Sequence, residues 1–225
     1  MLLNETQTTI CNKALMLIGE EPITSIDDNT LQAKVCKEHY YLSLRATLES
    51  GHWPFAIVEE PITRIDLPAY TKEQKFVYRI PGNCAVILSI TKRYNRKQLK
   101  KHIDWDIRYI PELKTSAIIC NALSRKMDES DTKVPDIYED EQMLIEYVAD
   151  SQSVFSFSAA FIKCVVAQLA VDICMAITHD TARFTSLYQY AAMLRQQALT
   201  QALNEDKQDK GGWMDHITAS RERYS

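Results

Sequence analysis

The sequence predicts an α+β fold: a helical bundle, with two N-terminal and two C-terminal helices, interrupted by a small β-rich insert and followed by an extended C-terminal tail. Three observations lead there. Apolar residues recur at helical spacing over the first fifty residues and again after Ser156. Between those stretches they fall in short β-branched and aromatic runs separated by turn residues. Helical runs are thus segregated from strand runs, whereas a doubly wound parallel sheet needs them to alternate.

The first helix is expected from about Glu5 to Ile18, carried by Ile10, Ala14, Leu15, Leu17 and Ile18, with Gly19 placed to cap it in the left-handed conformation. After the Glu20-Glu21-Pro22 turn, Asp27, Asp28 and Asn29 offer N-caps for a second helix from about Thr30 to Ser50, which Gly51 ends. These two form the N-terminal hairpin of the bundle, residues 1–54. Trp53 and Phe55 stand at its boundary, where two large rings can bury surface from both halves and fix their angle.

The β-rich insert is expected over residues 55–150. Its clearest turn is Pro81-Gly82-Asn83, between the Phe76 to Ile80 and Cys84 to Ile90 runs, which with Tyr78 predicts a first hairpin. The last strand is expected over Met143 to Val148. Helical spacing returns with Phe157, Phe161, Val165, Leu169 and Ile173, on a face so apolar that this helix is expected at the centre. His179-Asp180-Thr181 reads as the turn to a last helix with a seam at Phe184, Leu187, Ala191, Leu194, Ala198 and Ala202. The C-terminal hairpin takes residues 151–208, leaving an extended docking tail over 209–225 with Gly211-Gly212 as hinge.

At 225 residues, with 46% hydrophobic and 25% charged, the chain can bury an ordinary core. No apolar run reaches the roughly 18 to 20 uncharged residues of a spanning helix, and Met1-Leu2-Leu3-Asn4-Glu5 lacks a signal peptide's basic start, so no membrane partner is expected. Six cysteines lie ten or more residues apart without C-x-x-C pairs and read as small hydrophobes of a reducing cytosol. The net charge of −4 is unevenly spread: Lys92, Arg93, Arg96, Lys97, Lys100 and Lys101 fall together with no acid among them. Such a run is either a solvated hairpin or a non-specific contact for double-stranded DNA.

Chemical signatures are missing. There is no phosphate loop, dinucleotide fingerprint, nucleophile elbow or zinc motif, the five histidines are scattered, and neither a catalytic nor a metal site nor a cofactor is expected. His179-Asp180 could orient an imidazole, yet no Ser or Cys nucleophile is tied to it, and a helix-to-helix turn explains the pair. The polar stretch from Asn204 to Gly212 is followed by Trp213, Met214, Ile217 and Tyr224, anchors for docking on another surface, with Arg221 and Arg223 to add charge pairs.

Several stretches, in order, carry a family likeness. Ala14-Leu15-Met16-Leu17-Ile18-Gly19, then Pro22-Ile23, then Ser25-Ile26-Asp27-Asp28 open the chain; Trp53-Pro54-Phe55-Ala56 and Tyr78-Arg79-Ile80-Pro81-Gly82-Asn83-Cys84 follow; Glu146-Tyr147-Val148-Ala149-Asp150 and the Ala-rich last helix close it. The chain resembles the head-to-tail adaptor of short-tailed phages and prophages, the tail tubular protein A family. Phe157 stands where that family often has proline, and Ile90 to Lys133 carries no matching motif. The resemblance implies a non-enzymatic virion protein of the head–tail interface, made in the host cytoplasm. It also implies a ring of about twelve copies between the portal protein and the tail nozzle protein, passing DNA at ejection. A soluble nucleic-acid-binding accessory protein using residues 92–101 is the alternative.

Overall fold

The computed structural model describes residues 6–71, 75–94, 99–121, 142–150 and 157–221. They form a mixed α+β protein with helices toward the two ends of the chain and two antiparallel sheets in the middle. The chain divides into two compact units, Met1–Ala56 with Asp150–Ser225, and Ile57–Ala149.

In the helical unit, α1 (Gln7–Ile18) starts at Thr6, whose side chain accepts from Thr9 N, and ends at Gly19 with φ 80°. Gly19 N donates to Met16 O and Glu20 N to Leu15 O, the paired bonds of a Schellman cap. Asn12 then ties down the following loop, its amide donating to Ile23 O and accepting from Ile23 N, both at 2.9 Å. The N-cap of α2 (Leu31–Glu49) is Thr30, not the acids before it. Asp28 instead folds its carboxylate back onto Thr24 N and Ser25 N, closing a local turn.

The third long helix, α4 (Ala159–Thr178), is buried on nearly every side, from Phe161 and Ile162 to Ile173 and Cys174. It packs against α1, α2 and α5 (Thr181–Arg221), whereas α1 and α2 touch each other little, so the expected N-terminal hairpin is filled by α4. By length and composition α4 is also apolar enough to cross a membrane, with Lys163 and Asp172 interrupting it. Asp172 accepts from Ser43 Oγ of α2 at 2.6 Å and from Gln168 Nε2 at 2.9 Å, and Gln168 Oε1 accepts from Arg195 of α5 at 2.6 Å. One hydrogen-bonded chain therefore links three helices through the core.

The second unit is a two-sheet sandwich. One sheet has the order β1 (Ile57–Pro61), β8 (Gln142–Ala149), β4 (Cys84–Tyr94), β5 (Leu99–His102). The other has β2 (Arg64–Ile65), β3 (Lys75–Arg79), β7 (Thr115–Asn121), β6 (Trp105–Ile110), with the single turn α3 (Pro68–Thr71) between β2 and β3. Tyr78, Ile118 and Cys120 of the second sheet pack with Ile90, Ile145 and Tyr147 of the first, forming the layer between them. Val77, Ile110, Ala117 and Ile119 form a second core on the far face, covered by Ile65, Leu67, Tyr70 and Leu113.

Two expectations are corrected. The Pro81-Gly82-Asn83 turn does not close a hairpin: β3 pairs with β2 and β7, β4 with β5 and β8, and the turn carries the chain from one sheet to the other. The backbone of the expected extended tail is helical, because α5 runs through Gly211 and Gly212 to Arg221. The Glu, Asp, Lys and Gln residues before the glycine pair are compatible with helix, and each glycine costs only about 1 kcal/mol against alanine.

Candidate functional site

Helix α5 carries an unusual surface of the helical unit. The preceding turn fixes its start: His179 caps α4 at φ 54°, and Asp180 Oδ1 accepts from Arg183 N at 2.9 Å. Asp180 thus serves as the N-cap of α5, which accounts for the His179-Asp180 pair without chemistry. Arg183 also donates through Nη1 to Ile18 O, binding the first turn of α5 to the carbonyl end of α1, where the helix dipole favours a cation.

The inner seam is the expected one, with Leu187, Ala191, Ala198 and Ala202 buried. The outer face is unusual. From Phe184 to Leu203 the single charged residue is Arg195, and it is half-buried on Gln168. The exposed positions are Thr185, Ser186, Tyr188, Gln189, Tyr190, Ala192, Met193, Gln196, Gln197, Thr200 and Gln201, none of them charged. A solvated surface normally carries charge at a quarter or more of its positions. Tyr188 is 63% exposed and Met193 49%. Depletion of charge together with exposed aromatics and methionine is the composition of a protein–protein contact.

Beside this face a groove of about 470 Å³ opens between α5, the start of α4 and the Trp53–Phe55 segment. Small residues make room for it: Ala198 and Ala202 on α5, Ala159 and Ala160 on α4. Its wall backs onto a cluster of aromatic rings packed edge to face. Trp53 is buried, with its ring 4.8 Å from Phe161, its indole N–H donating to Thr47 O at 2.9 Å, and Phe55 packed on Phe157 and Phe161 at 5.5 and 5.0 Å. Close by, α5 passes over the end of α2 at Gly51, where an added Cβ would collide with Leu199 Cδ2. Among the described residues, Lys163 is the one charged residue lining the groove.

Of the expected junction residues, the structure brings Trp53 and Phe55 together within the helical unit and places Tyr78 in the sandwich core. The expected docking residues Trp213, Met214, Ile217 and Arg221 lie on the backbone of α5, with their side chains outside the described residues; Arg223 and Tyr224 are outside them altogether.

The basic segment falls on β4 and β5. Their register sets Lys92 opposite Lys101 and Arg93 opposite Lys100, the side chains of Arg93, Lys100 and Lys101 lying outside the described residues, as Arg96 and Lys97 do altogether.

No group of three or more potential metal ligands occurs among the described residues. The Cys11 and Cys36 thiols lie together between α1 and α2, both fully buried. Cys11 is held well above the ordinary range by its hydrogen bond to Cys36 and by burial, which describes a packed thiol rather than a nucleophile. In comparison with known proteins, the chain matches no family model and no curated sequence.

The charge-free face and the groove were not singled out from the sequence. The first was legible as a twenty-residue run with one charge. The second was not, because it depends on Trp53 and the start of α4 meeting α5.

Proposed function

We propose that this chain is a structural virion protein, a head-to-tail adaptor like the tail tubular protein A family, acting without catalysis as a ring of about twelve copies between portal and tail nozzle. It would seal the packaged head, let DNA pass at ejection, and reside at the head–tail interface of the virion after synthesis in the host cytoplasm. The single observation that carries this reading is the charge-free outer face of α5, with Tyr188 and Met193 exposed on it. A ring subunit needs such surfaces and needs no active site. The ordered series of resembling segments, from the Ala14 to Gly19 helix end to the Ala-rich last helix, supports the same assignment.

The test is the mass of the purified protein, alone and mixed with a candidate portal, by light scattering and negative-stain imaging. Rings in either condition are expected. A chain that stays monomeric in both and binds DNA in a salt-sensitive way would move the assignment to a nucleic-acid-binding accessory protein, which the paired cations of β4 and β5 favour.

A further inference from the structure

Among the described residues the two sheets end in four edge strands, β1, β5, β2 and β6. Three of them are guarded against pairing with another chain. β1 carries Glu59, Glu60 and Pro61, β5 carries Lys100 and Lys101, and β2 is two residues long. Like charges, a proline and shortness are ordinary devices that stop an exposed edge from adding strands. β6 has neither a proline nor a run of like charge, and among the described residues it pairs on one side alone, with β7. Its sequence alternates, Trp105-Asp106-Ile107-Arg108-Tyr109, and successive side chains of a strand point to opposite faces. Ile107 and Tyr109 therefore share the face of Trp105, which packs against the layer between the sheets, yet they are 46% and 62% exposed. Asp106 and Arg108 share the other face and form an exposed ion pair at 2.8 Å.

That order is its own complement. Turned antiparallel about Ile107, a second β6 sets Ile107 opposite Ile107, Asp106 opposite Arg108 and Trp105 opposite Tyr109. One face of the joined strands then carries apolar and aromatic pairs and the other carries opposite charges, the cross-strand combinations that stabilise a sheet. Neighbouring registers do not: centring on Asp106 or on Arg108 sets like charges opposite, and a slip of one residue sets apolar side chains against charged ones. We propose that β6 is a docking edge for a second copy of this chain, joined antiparallel about Ile107 so that the sheet β2-β3-β7-β6 continues across a twofold axis. The contact uses the same patch on both chains and closes on two copies, whereas a ring joins unlike surfaces. It thus goes beyond the ring reading and does not rest on it.

The experiment uses the full-length chain. Analytical ultracentrifugation of the wild type is expected to show two-chain association. Arg108→Asp sets acid opposite acid twice and should weaken that association by at least about tenfold, with an unchanged circular dichroism spectrum. Asp106→Arg combined with Arg108→Asp restores opposite charges and should return it to the wild-type value. On mild oxidation Ile107→Cys, which meets its own copy at the axis, is expected to form a disulfide-linked pair of chains. Tyr109→Cys, which stands about 13 Å from its copy along the strands, should not exceed the wild type, whose own cysteines set the background. A chain that does not associate, an association that ignores Arg108→Asp, or equal cross-linking of the two cysteine variants overturns the pairing. Rings that form without the Ile107→Cys cross-link overturn it too and leave the ring reading standing.

Discussion

The two units of this chain differ in the kind of surface each offers. On the helical unit the distinctive face is neutral: eleven exposed positions on α5 without a charge, and a groove floored by alanines. On the sandwich it is ionic, with Lys92 opposite Lys101 and Arg93 opposite Lys100 across one hairpin. A neutral face binds by excluding water from apolar surface and is nearly indifferent to salt. A ladder of cations binds through released counterions and loses affinity steeply as salt rises. Contacts made through the two faces would therefore answer oppositely to salt.

The sharpest way to separate the units is to empty the core of one. Phe161 is fully buried and touches Trp53, Phe55 and Phe157 in a four-ring cluster, so Phe161→Ala should cost about 3 to 5 kcal/mol in the helical unit. Ile118→Ala, in the layer between the two sheets, should cost about 2 to 5 kcal/mol in the sandwich. Denaturant titrations followed by helical circular dichroism and by amide exchange of the strands should shift separately for the two variants. A common shift in both signals would show one cooperative fold in place of two.

The same contrast governs what the sequence made legible. The helical elements were readable because their signals are local: Gly19 in its left-handed cap, the Leu187 and Ala191 seam, and the all-round apolar surface that puts α4 at the centre. Strand existence was readable too, and Met143 to Val148 lies within β8 (Gln142–Ala149). Strand pairing was not. Nothing local in Phe76–Arg79 or Cys84–Ile90 states that their partners are β7 and β8, forty to sixty residues away, so the turn between them resembled a hairpin. The α5 groove failed for the same reason, since Trp53, Ala159 and Ala198 meet only in three dimensions.

Alkaline pH should loosen both units, through groups that burial holds neutral. Burial pushes the Cys120 thiol from 9.0 to about 11 and the Tyr40 hydroxyl from 10.0 to about 12. Both groups stay neutral in the fold and ionise first when unfolded. Their contribution is therefore fully present below the unfolded value and is lost as pH rises through the folded one: from 9 to 11 in the sandwich, from 10 to 12 in the helices. Each is worth up to about 2 to 3 kcal/mol over its window. Stability measured against pH should lose the first window in Cys120→Val and the second in Tyr40→Phe.

Smaller still are the helix caps. Ser158 Oγ accepts from Phe161 N at 3.2 Å and Thr30 Oγ1 from Ala33 N at 3.2 Å, each satisfying one donor that the helix itself leaves open. Ser158→Ala or Thr30→Ala should cost about 1 kcal/mol, read from the helical transition alone.

The least effect should come from an exposed ion pair of the helical unit. Lys37 Nζ lies 2.7 Å from Asp27 Oδ1, a distance that suggests strength, yet the two side chains are 61% and 73% exposed. Water screens the attraction, and holding two long side chains in one geometry costs entropy that offsets most of the rest. Lys37→Ala should thus change stability by less than about 0.5 kcal/mol, and raising the salt concentration should leave even that difference undetectable. Contrast the Arg195–Gln168–Asp172–Ser43 chain, whose hydrogen bonds are shielded within three packed helices: there Arg195→Met should cost more than Lys37→Ala, because Gln168 Oε1 loses its donor away from water. A larger loss at Lys37 than at Arg195 would mean that the helical unit is held together by its charged rim, and that its neutral α5 face owes nothing to a selection for contact.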